Sequence, residues 1–427
     1  MPRSISARLK QGCTLIKVQP CKKKMRLLVI SNLYPPHIIG GYEIACQDFC
    51  EGLARLGHQI EIMTSNYGLS NRSNLPDSPG ANGGQVIKRL LNFNDSQKAK
   101  DRFLKKWLGI KSVYFDLINF LVTFYEILRF KPDVVYIWNL AFVSLSPIIG
   151  AVILKKKIVF HLEDYWLGAA LRFNQNRNQG VIEETLKFIL NFLLRRTIVK
   201  TPFIALSEYI QKYYLNQGMR GRNSVIYNGL SELLFIRNPQ PVTRNPKTLL
   251  YGGRLIFDKG VHLILEAMNI LQNEGLTDVS LDLVGAGEED YLHYLKNLIQ
   301  KYGLEKRVNF LGLKTHEETM ALYPIYSIIV VPSVWEEPFG LMVIEAMARG
   351  CVPIVSNSGA LPEIVKDGKS GLVFRKGEVS DLAEKIKQLL VNQSVLEQLG
   401  ANAVADIKDR FDLESKTKEV EKFLFGF

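Results

Sequence analysis

Short apolar runs alternate along the chain with longer segments whose apolar residues recur at helical spacing. Such runs are typical of strands that are buried on both faces of a parallel sheet. In the clearest cycle, a run at residues 328–331 ends at Pro332, a helix is predicted from residue 339 or 340 to Gly350, and another run occupies residues 352–355. This is a βαβ unit, and its repetition along the chain predicts an α/β fold.

The cycle occurs in two blocks on either side of a proline-rich stretch. Residues 25–237 form the first predicted domain, and residues 248–410 form the second. Residues 238–247 contain three prolines and are predicted to be the linker. A basic leader at residues 1–24 is expected to be disordered, and residues 411–427 are predicted to form a last helix. The pattern therefore predicts two Rossmann-like domains, with a helix over residues 141–154 in the first and a hairpin-like turn over residues 368–374 in the second.

The composition is sufficient for large hydrophobic cores, and the cysteines indicate the kind of cellular compartment. The chain has 427 residues, of which 47% are hydrophobic, and five cysteines without a C-x-x-C pair. An odd number of unpatterned cysteines indicates free thiols in a reducing compartment. No signal peptide and no charge-free apolar run of membrane-spanning length is apparent. We therefore expect a cytoplasmic protein, with peripheral contact at the inner face of a membrane left open.

The net charge of +12 is unevenly distributed. Residues 1–240 hold 33 Lys and Arg against 16 Asp and Glu, and the remaining residues hold 21 against 26. A basic half indicates an anionic partner such as a membrane surface, a charged glycan or nucleic acid, although it is also typical of a merely solvated surface. Residues 98–111 combine Lys and Arg with Phe103 and Trp107, which suits either a membrane-surface helix or an ordinary covering helix.

Two glutamates flank the start of the helix in the βαβ unit. Glu337 lies in the loop before it and Glu345 lies inside it, with Gly340 at its predicted first turn. The first turn of a helix can hold an anion, and a glycine lets a ligand approach the backbone. A carboxylate at Glu345 suits the hydroxyls of a ribose or a hexose. These residues predict a site for a phosphorylated, hydroxyl-rich ligand.

Two cations stand together at the start of the second domain. Gly253 and Arg254 follow a predicted strand, and Lys259 precedes Gly260 and a helix from Val261. Arginine offers a forked donor and lysine a point charge, a combination that suits a diphosphate. The residue pattern D-x-D does not occur in the sequence, so no metal site built on that pattern is predicted.

Polar residues also follow strands in the first domain. Gly41 closes a Gly-Gly pair after the first strand, which suits either a backbone anion cradle or a tight turn. His161 ends one strand with Asp164 three residues later, and Ser207 and Asn228 follow two others. Ligands of parallel sheets bind at the carboxyl ends of their strands. A lone histidine there is either a ligand contact or a structural residue.

The spacing of Glu337 and Glu345, with Phe339 and Gly340 between them, resembles the E-x7-E motif of retaining glycosyltransferases of the GT-B fold, family 4. The string from Gly252 to Gly260 resembles the family's G-G-R-x4-K-G pattern. The resemblance implies two Rossmann-like domains facing each other across a cleft, with the last helix crossing back to the first domain. Family members usually have Asp directly after the strand-ending His, whereas here Leu162 and Glu163 intervene.

The resemblance implies transfer of a hexose-type sugar, with retention, from a nucleotide-diphosphate-sugar donor to a glycan or lipid-linked acceptor, without a metal or another cofactor. The residues implied to be catalytic are Arg254, Lys259, Glu337 and His161. Those implied to bind the donor are Gly41, Gly253, Gly285, Gly287, Phe339, Gly340, Leu341 and Glu345. Those implied to contact the acceptor or the sugar are Asp164, Ser207 and Asn228.

Other interpretations remain open at this stage. The same fold serves glycogen-synthase-like polymerases, phosphorylases and nucleotide-sugar epimerases. A sugar-binding protein or membrane scaffold with a retired site is a second alternative, although the intact Arg254, Lys259, Glu337 and Glu345 argue against it. Nucleic-acid binding by the basic half lacks a stacking aromatic motif or a recognition helix. The sequence does not identify the base, the sugar, the acceptor or the linkage.

Overall fold

The computed structural model describes residues 24–67, 78–79, 85–91, 93, 116–171, 194–231 and 245–426. The basic leader, the segment 98–111 and the larger part of the linker fall outside these ranges.

The first domain is built on one eight-stranded sheet. Its strands are β1 Arg26–Ser31, β2 Gln59–Ser65, β3 Ser78–Pro79, β4 Gln85–Leu91, β5 Val134–Asn139, β6 Lys157–Leu162, β7 Phe203–Ala205 and β8 Asn223–Val225. Their order across the sheet is β3-β4-β2-β1-β5-β6-β7-β8. All pairings are parallel except that of the two-residue strand β3 with β4.

Helices cover both faces of this sheet. Among the described residues they include α1 Tyr42–Arg55, α2 Leu117–Phe130, α3 Ser146–Ile153, α4 Trp166–Leu171 and α5 Glu208–Asn216. The prediction that α3 begins at residue 141 is wrong. Phe142 and Ser144 have φ angles of 65° and 89°, which a right-handed helix does not contain. The helix begins at Ser146 with Pro147 in its first turn, where the missing N–H has no helical partner to lose.

The second domain carries a six-stranded sheet in which every pairing is parallel. Its strands are β9 Asn245–Gly252, β10 Ser280–Val284, β11 Val308–Gly312, β12 Tyr326–Val331, β13 Val352–Ser356 and β14 Leu372–Phe374. Their order is β11-β10-β9-β12-β13-β14. Strand β9 begins inside the predicted linker. The hairpin-like turn predicted at residues 368–374 is only partly correct, because a turn closed by Gly368 and Gly371 leads into a parallel strand.

The first five helices of the second domain lie between its strands, and the last three follow β14. The helices are α6 Val261–Asn273, α7 Glu289–Lys301, α8 His316–Leu322, α9 Leu341–Ala348, α10 Leu361–Ile364, α11 Val379–Val391, α12 Gln393–Arg410 and α13 Leu413–Phe425. Helix α9 starts directly after Gly340, and Gly350, with a φ of 80°, follows its end. A left-handed glycine just past the last turn is a common helix stop.

The last helix packs against the first domain. Val420 and Phe423 of α13 belong to the same buried cluster as Phe49 and Leu53 of α1. The close approach depends on Gly52, because a Cβ at that position would lie 2.6 Å from the hydroxyl oxygen of Thr417. The two domains are therefore joined by packing as well as by the chain that links β8 to β9.

The carboxyl-terminal edges of the two sheets meet across the cleft. Tyr227, which follows β8, lies beside Phe339 and Phe411 in a shared apolar cluster, with ring centroids 6.1 and 5.4 Å away. Parallel sheets bind their ligands at this edge. The fold thus places the polar residues that follow the strands of both domains along one cleft. None of the helices in the described part of the chain is both long enough and apolar enough to cross a bilayer.

Candidate active site

Glu337 lies in the loop that joins β12 to α9, and its side chain is mostly buried. Its Oε1 accepts a hydrogen bond from Lys259 Nζ at 2.6 Å and another from the hydroxyl of Ser333. Two residues that are 78 positions apart in the sequence therefore form one ion pair. The pair combines an acid and a cation at the cleft edge of the second domain.

The loop of Glu337 is fixed by the segment that follows β13. The backbone N–H of Gly359 donates to Glu336 Oε2 at 2.7 Å, and that of Ala360 donates to the carbonyl of Glu337 at 2.8 Å. Gly359 has a φ of 55°, and a Cβ there would lie 2.1 Å from the Glu337 carbonyl oxygen. Only glycine fits this contact, because any side chain would collide with backbone.

The loop of Lys259 is fixed against the loop that follows β12, which also carries Glu337. The carbonyl of Asp258 accepts the backbone N–H groups of Val334 at 2.9 Å and of Trp335 at 3.1 Å. Gly260 has a φ of 70°, and a Cβ there would lie 2.1 Å from the carbonyl oxygen of Pro332. Backbone contacts thus hold Lys259 and Glu337 in register, which suits a preorganised charge site.

Arg254 and the predicted glycines line the neighbouring strand ends. Gly253 and Gly285 have φ angles of 133° and 135°, and a Cβ on Gly285 would lie 1.9 Å from the Gly253 carbonyl oxygen. Gly287 packs in the same way on the carbonyl of Leu255, at 2.3 Å. The side chain of Arg254 is exposed, and it forms no salt bridge with the residues that the structure describes. Its guanidinium is available to an anion.

The amino terminus of α9 meets the first domain. Gly340 precedes the helix and no side chain caps its first turn. A Cβ on Gly41 would lie 2.9 Å from Leu341 Cδ2, so these two predicted residues are in contact across the cleft. Phe339 is placed differently, because it is buried between the domains beside Tyr227 rather than exposed to the cleft.

Glu345 lies on the buried side of α9, where both of its oxygens already have protein partners. His316 Nε2 lies 2.8 Å from Oε1, and the hydroxyl of Tyr323 donates to Oε2 at 3.1 Å. The hydrogen bond to Glu345 raises the pKa of His316. A sugar hydroxyl would have to share this carboxylate with His316 or displace it. Sequence reasoning did not identify His316 or Tyr323, because neither is spaced from Glu345 in any motif.

In the Gly-Gly loop of the first domain, a carboxylate from the following helix binds the backbone N–H groups. Glu43 accepts the backbone N–H groups of Ile39 at 3.1 Å and of Gly40 at 3.0 Å. Burial raises the pKa of Glu43, and these hydrogen bonds oppose that rise. Two amides that could have formed an anion cradle therefore bind Glu43, which the sequence analysis did not include.

His161 lies in the core and not at the surface of the cleft. Its ring lies 3.9 Å from that of Trp138, and the hydroxyl of Tyr136 contacts its Nδ1. Its Nε2 lies 3.1 Å from Glu163 Oε1, without the alignment of a hydrogen bond. No atom of the imidazole reaches the cleft in this arrangement, since His161 is 0% exposed. Nothing in the sequence signals that the strand end turns this side chain inward.

The other first-domain candidates form hydrogen bonds within the cleft wall. Asn228 donates to Glu163 Oε2 at 2.9 Å, and Asp164 accepts from the backbone N–H of Trp166 at 2.8 Å. Burial raises the pKa of Asp164 to about 6. Glu163, one of the two residues that separate His161 from Asp164, is therefore the buried carboxylate nearest to the predicted histidine.

Several hydrogen bonds tie the first domain to the loop and helix that follow β12 and β13. The hydroxyl of Tyr165 donates to the carbonyl of Glu336 at 2.7 Å, and that of Ser207 donates to the carbonyl of Pro338 at 2.8 Å. Glu363 accepts the first backbone N–H groups of α5 at 2.8 and 2.7 Å. The loop that holds Glu337 is thus held from both domains. No cluster of metal-binding side chains occurs among the described residues.

Known proteins match the chain along nearly its whole length. The sequence model "Glycosyltransferase Family 4" matches residues 39–232, and "Glycosyl transferases group 1" matches residues 234–406. An uncharacterized glycosyltransferase of Methanocaldococcus jannaschii is 26% identical over 92% of this chain and 96% of its own. The glycogen synthase of Mycobacterium tuberculosis is 24% identical over 92% of each chain.

A solved structure shares the fold. The Anabaena protein HepE, crystallised with UDP-glucose, is 20% identical and superposes with a TM-score of 0.68 over 94% of this chain and 100% of its own. At that identity the similarity shows the fold alone, and it agrees with the two parallel-sheet domains described above. Taken together with the two family models, it shows that the chain is a glycosyltransferase enzyme with the GT-B fold, matched in its two halves by the family 4 and group 1 models.

Proposed function

We propose that the enzyme transfers a hexose-type sugar from a nucleotide-diphosphate-sugar donor to a glycan or lipid-linked acceptor in polysaccharide biosynthesis, with retention of the anomeric configuration. The observation that carries the proposal is the ion pair between Lys259 and Glu337, with the exposed Arg254 on the same loop. Two cations at the cleft edge of one domain suit a diphosphate group. The crystallised complex of HepE with UDP-glucose supports a donor of this kind.

The chemistry follows from where charge develops. When the bond between the sugar and the diphosphate breaks, negative charge grows on the leaving group. Lys259 and Arg254 are the residues that would stabilise it, and the uncapped N–H groups at the start of α9 would add to the field. Two fixed protein cations would take the role of a metal, so we propose that transfer needs none.

A thermal-shift screen of nucleotides and nucleotide sugars tests the donor assignment. A donor that binds only the native state raises Tm by mass action. At a hundredfold excess over Kd, it raises the free energy of unfolding by about 2.7 kcal/mol. The Lys259→Ala variant is the control, and it should lose most of that shift. If no nucleotide-diphosphate sugar raises the Tm of the wild-type protein, the proposed donor class is wrong.

A product analysis tests the reaction itself. Incubation with the donor found in the screen and a glycan or lipid-linked acceptor should give a glycoside with retained configuration, with or without EDTA. Release of a free sugar phosphate without an acceptor would instead favour a phosphorylase. Complete loss of transfer in EDTA, followed by rescue with Mg²⁺ or Mn²⁺, would contradict the role assigned to the two cations.

The proposed function also includes contact between the enzyme and a membrane. We place the enzyme in the cytoplasm, in peripheral contact with an anionic membrane through its basic half, because residues 1–240 carry an excess of Lys and Arg. The segment 98–111, for which this contact is expected, falls outside the residues that the structure describes.

A further inference from the structure

Helix α2 buries polar side chains on its inner side, beside Ile127 and Phe130, and exposes apolar ones on its outer side. Asn119, Thr123 and Glu126 are buried, and their spacing places them on one side of the helix. A surface helix ordinarily buries its apolar stripe and exposes its polar side chains. In α2 three polar side chains face the protein together with the apolar Ile127 and Phe130.

The inward polar side chains all have partners. Asn119 Nδ2 donates to the carbonyl of Val143, and the hydroxyl of Thr123 donates to the carbonyl of Asn119 at 2.6 Å. Glu126 accepts from Lys88 Nζ at 3.0 Å and from Arg129 Nε at 2.8 Å. Because these groups would be costly to bury without partners, the bonds fix which side of α2 faces the sheet. The orientation of α2, with its exposed apolar side outward, is therefore built into the fold.

The opposite side of α2 is apolar and open. It consists of five side chains, each 48 to 61% exposed: Leu117, Ile118, Leu121, Tyr125 and Leu128. We call this set the outer face of α2. The neighbouring helix α3 adds the exposed Val152 and Ile153 at its end. A continuous apolar stripe of this length marks a surface that contacts something apolar.

Lysines cluster at one end of the outer face. Lys131 follows α2, Lys155 and Lys157 follow α3, and all three are exposed. Strands β5 and β6 begin next to each other, with Val134 paired to Lys157, so the ends of both helices lie at the same edge of the sheet. Apolar side chains with lysines at the rim are typical of helices that lie in a lipid interface.

We propose that the outer face of α2 is the docking surface for an anionic lipid bilayer, with Lys131, Lys155 and Lys157 contacting the headgroups. The helix would lie in the plane of the interface, and its apolar residues would enter the boundary of the acyl chains. The inference deepens the proposed peripheral contact by assigning it to described residues, and it does not depend on the donor chemistry at Lys259.

Charge favours a bilayer over a second copy of the chain. Docking two outer faces would bring together two basic halves, each with 33 Lys and Arg against 16 Asp and Glu. Like charges at close range oppose such an interface, whereas an anionic surface attracts it. A self-associating face is therefore one of the outcomes that the experiment must separate.

The test is co-sedimentation of the full chain with vesicles of phosphatidylglycerol and phosphatidylcholine, and with vesicles of phosphatidylcholine alone. At low salt the wild-type protein should sediment with the first and not with the second. The double variant Leu121→Gln/Tyr125→Gln should lose most of this binding. The matched control is Val391→Gln, which changes an apolar side chain, 65% exposed, in the second domain; it should bind like the wild type.

Two further arms separate the contributions and the alternatives. Lys131→Gln/Lys155→Gln should make binding weaker and less sensitive to salt, because fewer charges contact the headgroups. Thermal shift with the nucleotide-sugar donor, measured on the same samples, should be unchanged in every variant. If the wild-type protein does not bind vesicles but the donor still raises its Tm, only this inference is overturned. If the protein binds vesicles but the donor does not raise its Tm, only the proposed donor is overturned.

Three results would contradict the proposal. The first is that the wild-type protein does not bind anionic vesicles at low salt. The second is that the double variant binds them as well as the wild type does. The third is a wild-type dimer in size-exclusion chromatography that the double variant converts to a monomer, which would make the outer face an interface between copies. Slower hydrogen exchange across residues 117–130 on addition of anionic vesicles, and not of neutral ones, would support the bilayer.

Discussion

The two sides of the cleft hold their polar residues in different ways. On the second domain, Lys259 and Glu337 sit on loops that are joined by backbone hydrogen bonds and by glycines in backbone contact. On the first domain, the polar groups form side-chain hydrogen bonds among themselves, as between Asn228 and Glu163, and His161 is buried behind them. A charged site fixed through backbone is preorganised, whereas a wall of side chains can be reshaped by a few substitutions.

This difference matches what each side would have to do. A diphosphate presents the same charge whichever sugar it carries, so a fixed pair of cations suits every donor of that class. Acceptors differ in shape and hydroxyl pattern, which side chains such as Asn228 can adapt to. Substitutions on each side of the cleft test this difference.

The largest effect is expected from removing the cations of the second domain. Lys259→Ala and Arg254→Ala should each leave the fold intact and raise the barrier to transfer by about 2–4 kcal/mol, because each removes a preorganised charge. The measurement is kcat/KM with saturating acceptor. Lys376→Ala is the matched control, since it removes a lysine that pairs with the adjacent Glu336. Activity within a few-fold of wild type in both test variants would remove the pair from the site.

A glycine substitution tests whether the backbone itself fixes Glu337. Gly359→Ala should lower both stability and transfer, because its Cβ would collide with the Glu337 carbonyl at 2.1 Å. Gly368→Ala is the control: it has a similar positive φ, of 68°, with nothing within 4 Å of the added carbon. The control should cost only about 1–2 kcal/mol, the penalty of the left-handed conformation. Equal losses in Tm and kcat/KM for the two variants would mean that the contact does not matter.

Sequence patterns predicted the second domain better than the first for a physical reason. Motifs such as Gly253-Arg254 and Glu337-Pro338 lie between a strand and a helix, whose positions the apolar periodicity predicts. The direction of the His161 side chain depends instead on Trp138 and on other residues distant in sequence, which no local pattern records. The α/β class and the parallel strands followed from apolar periodicity, whereas the start of α3 was missed because left-handed residues ahead of Pro147 carry no sequence signal.

The first domain is tested by changing the buried histidine. His161→Phe should lower stability by about 1–3 kcal/mol, because the hydroxyl of Tyr136 loses its partner in the core. The double variant Tyr136→Phe/His161→Phe removes both polar groups and should recover part of that loss. Transfer at a temperature where both variants are folded should stay within a few-fold of wild type. A large fall in kcat without a fall in Tm would show that the imidazole does reach the sugar.

The smallest effect is expected where the two sides meet. Tyr165→Phe removes the hydrogen bond from the first domain to the carbonyl of Glu336, next to Glu337. A single neutral hydrogen bond contributes about 0.5–1.5 kcal/mol, so kcat/KM should fall by several-fold at most. Because Tyr165 holds the loop from the opposite domain, the loss should appear mainly in kcat, while the donor's Tm shift stays close to that of the wild type.

Tyr294→Phe controls for removal of a tyrosine hydroxyl elsewhere, since Tyr294 is partly exposed on the second domain. Its transfer should match the wild type. If Tyr165→Phe instead weakens donor binding and leaves kcat unchanged, the hydrogen bond serves to shape the donor pocket. If Tyr165→Phe changes neither quantity, the loop of Glu337 is held by the second domain alone. The contrast between the two sides of the cleft then becomes sharper, because backbone contacts within one domain are enough to fix the charged site.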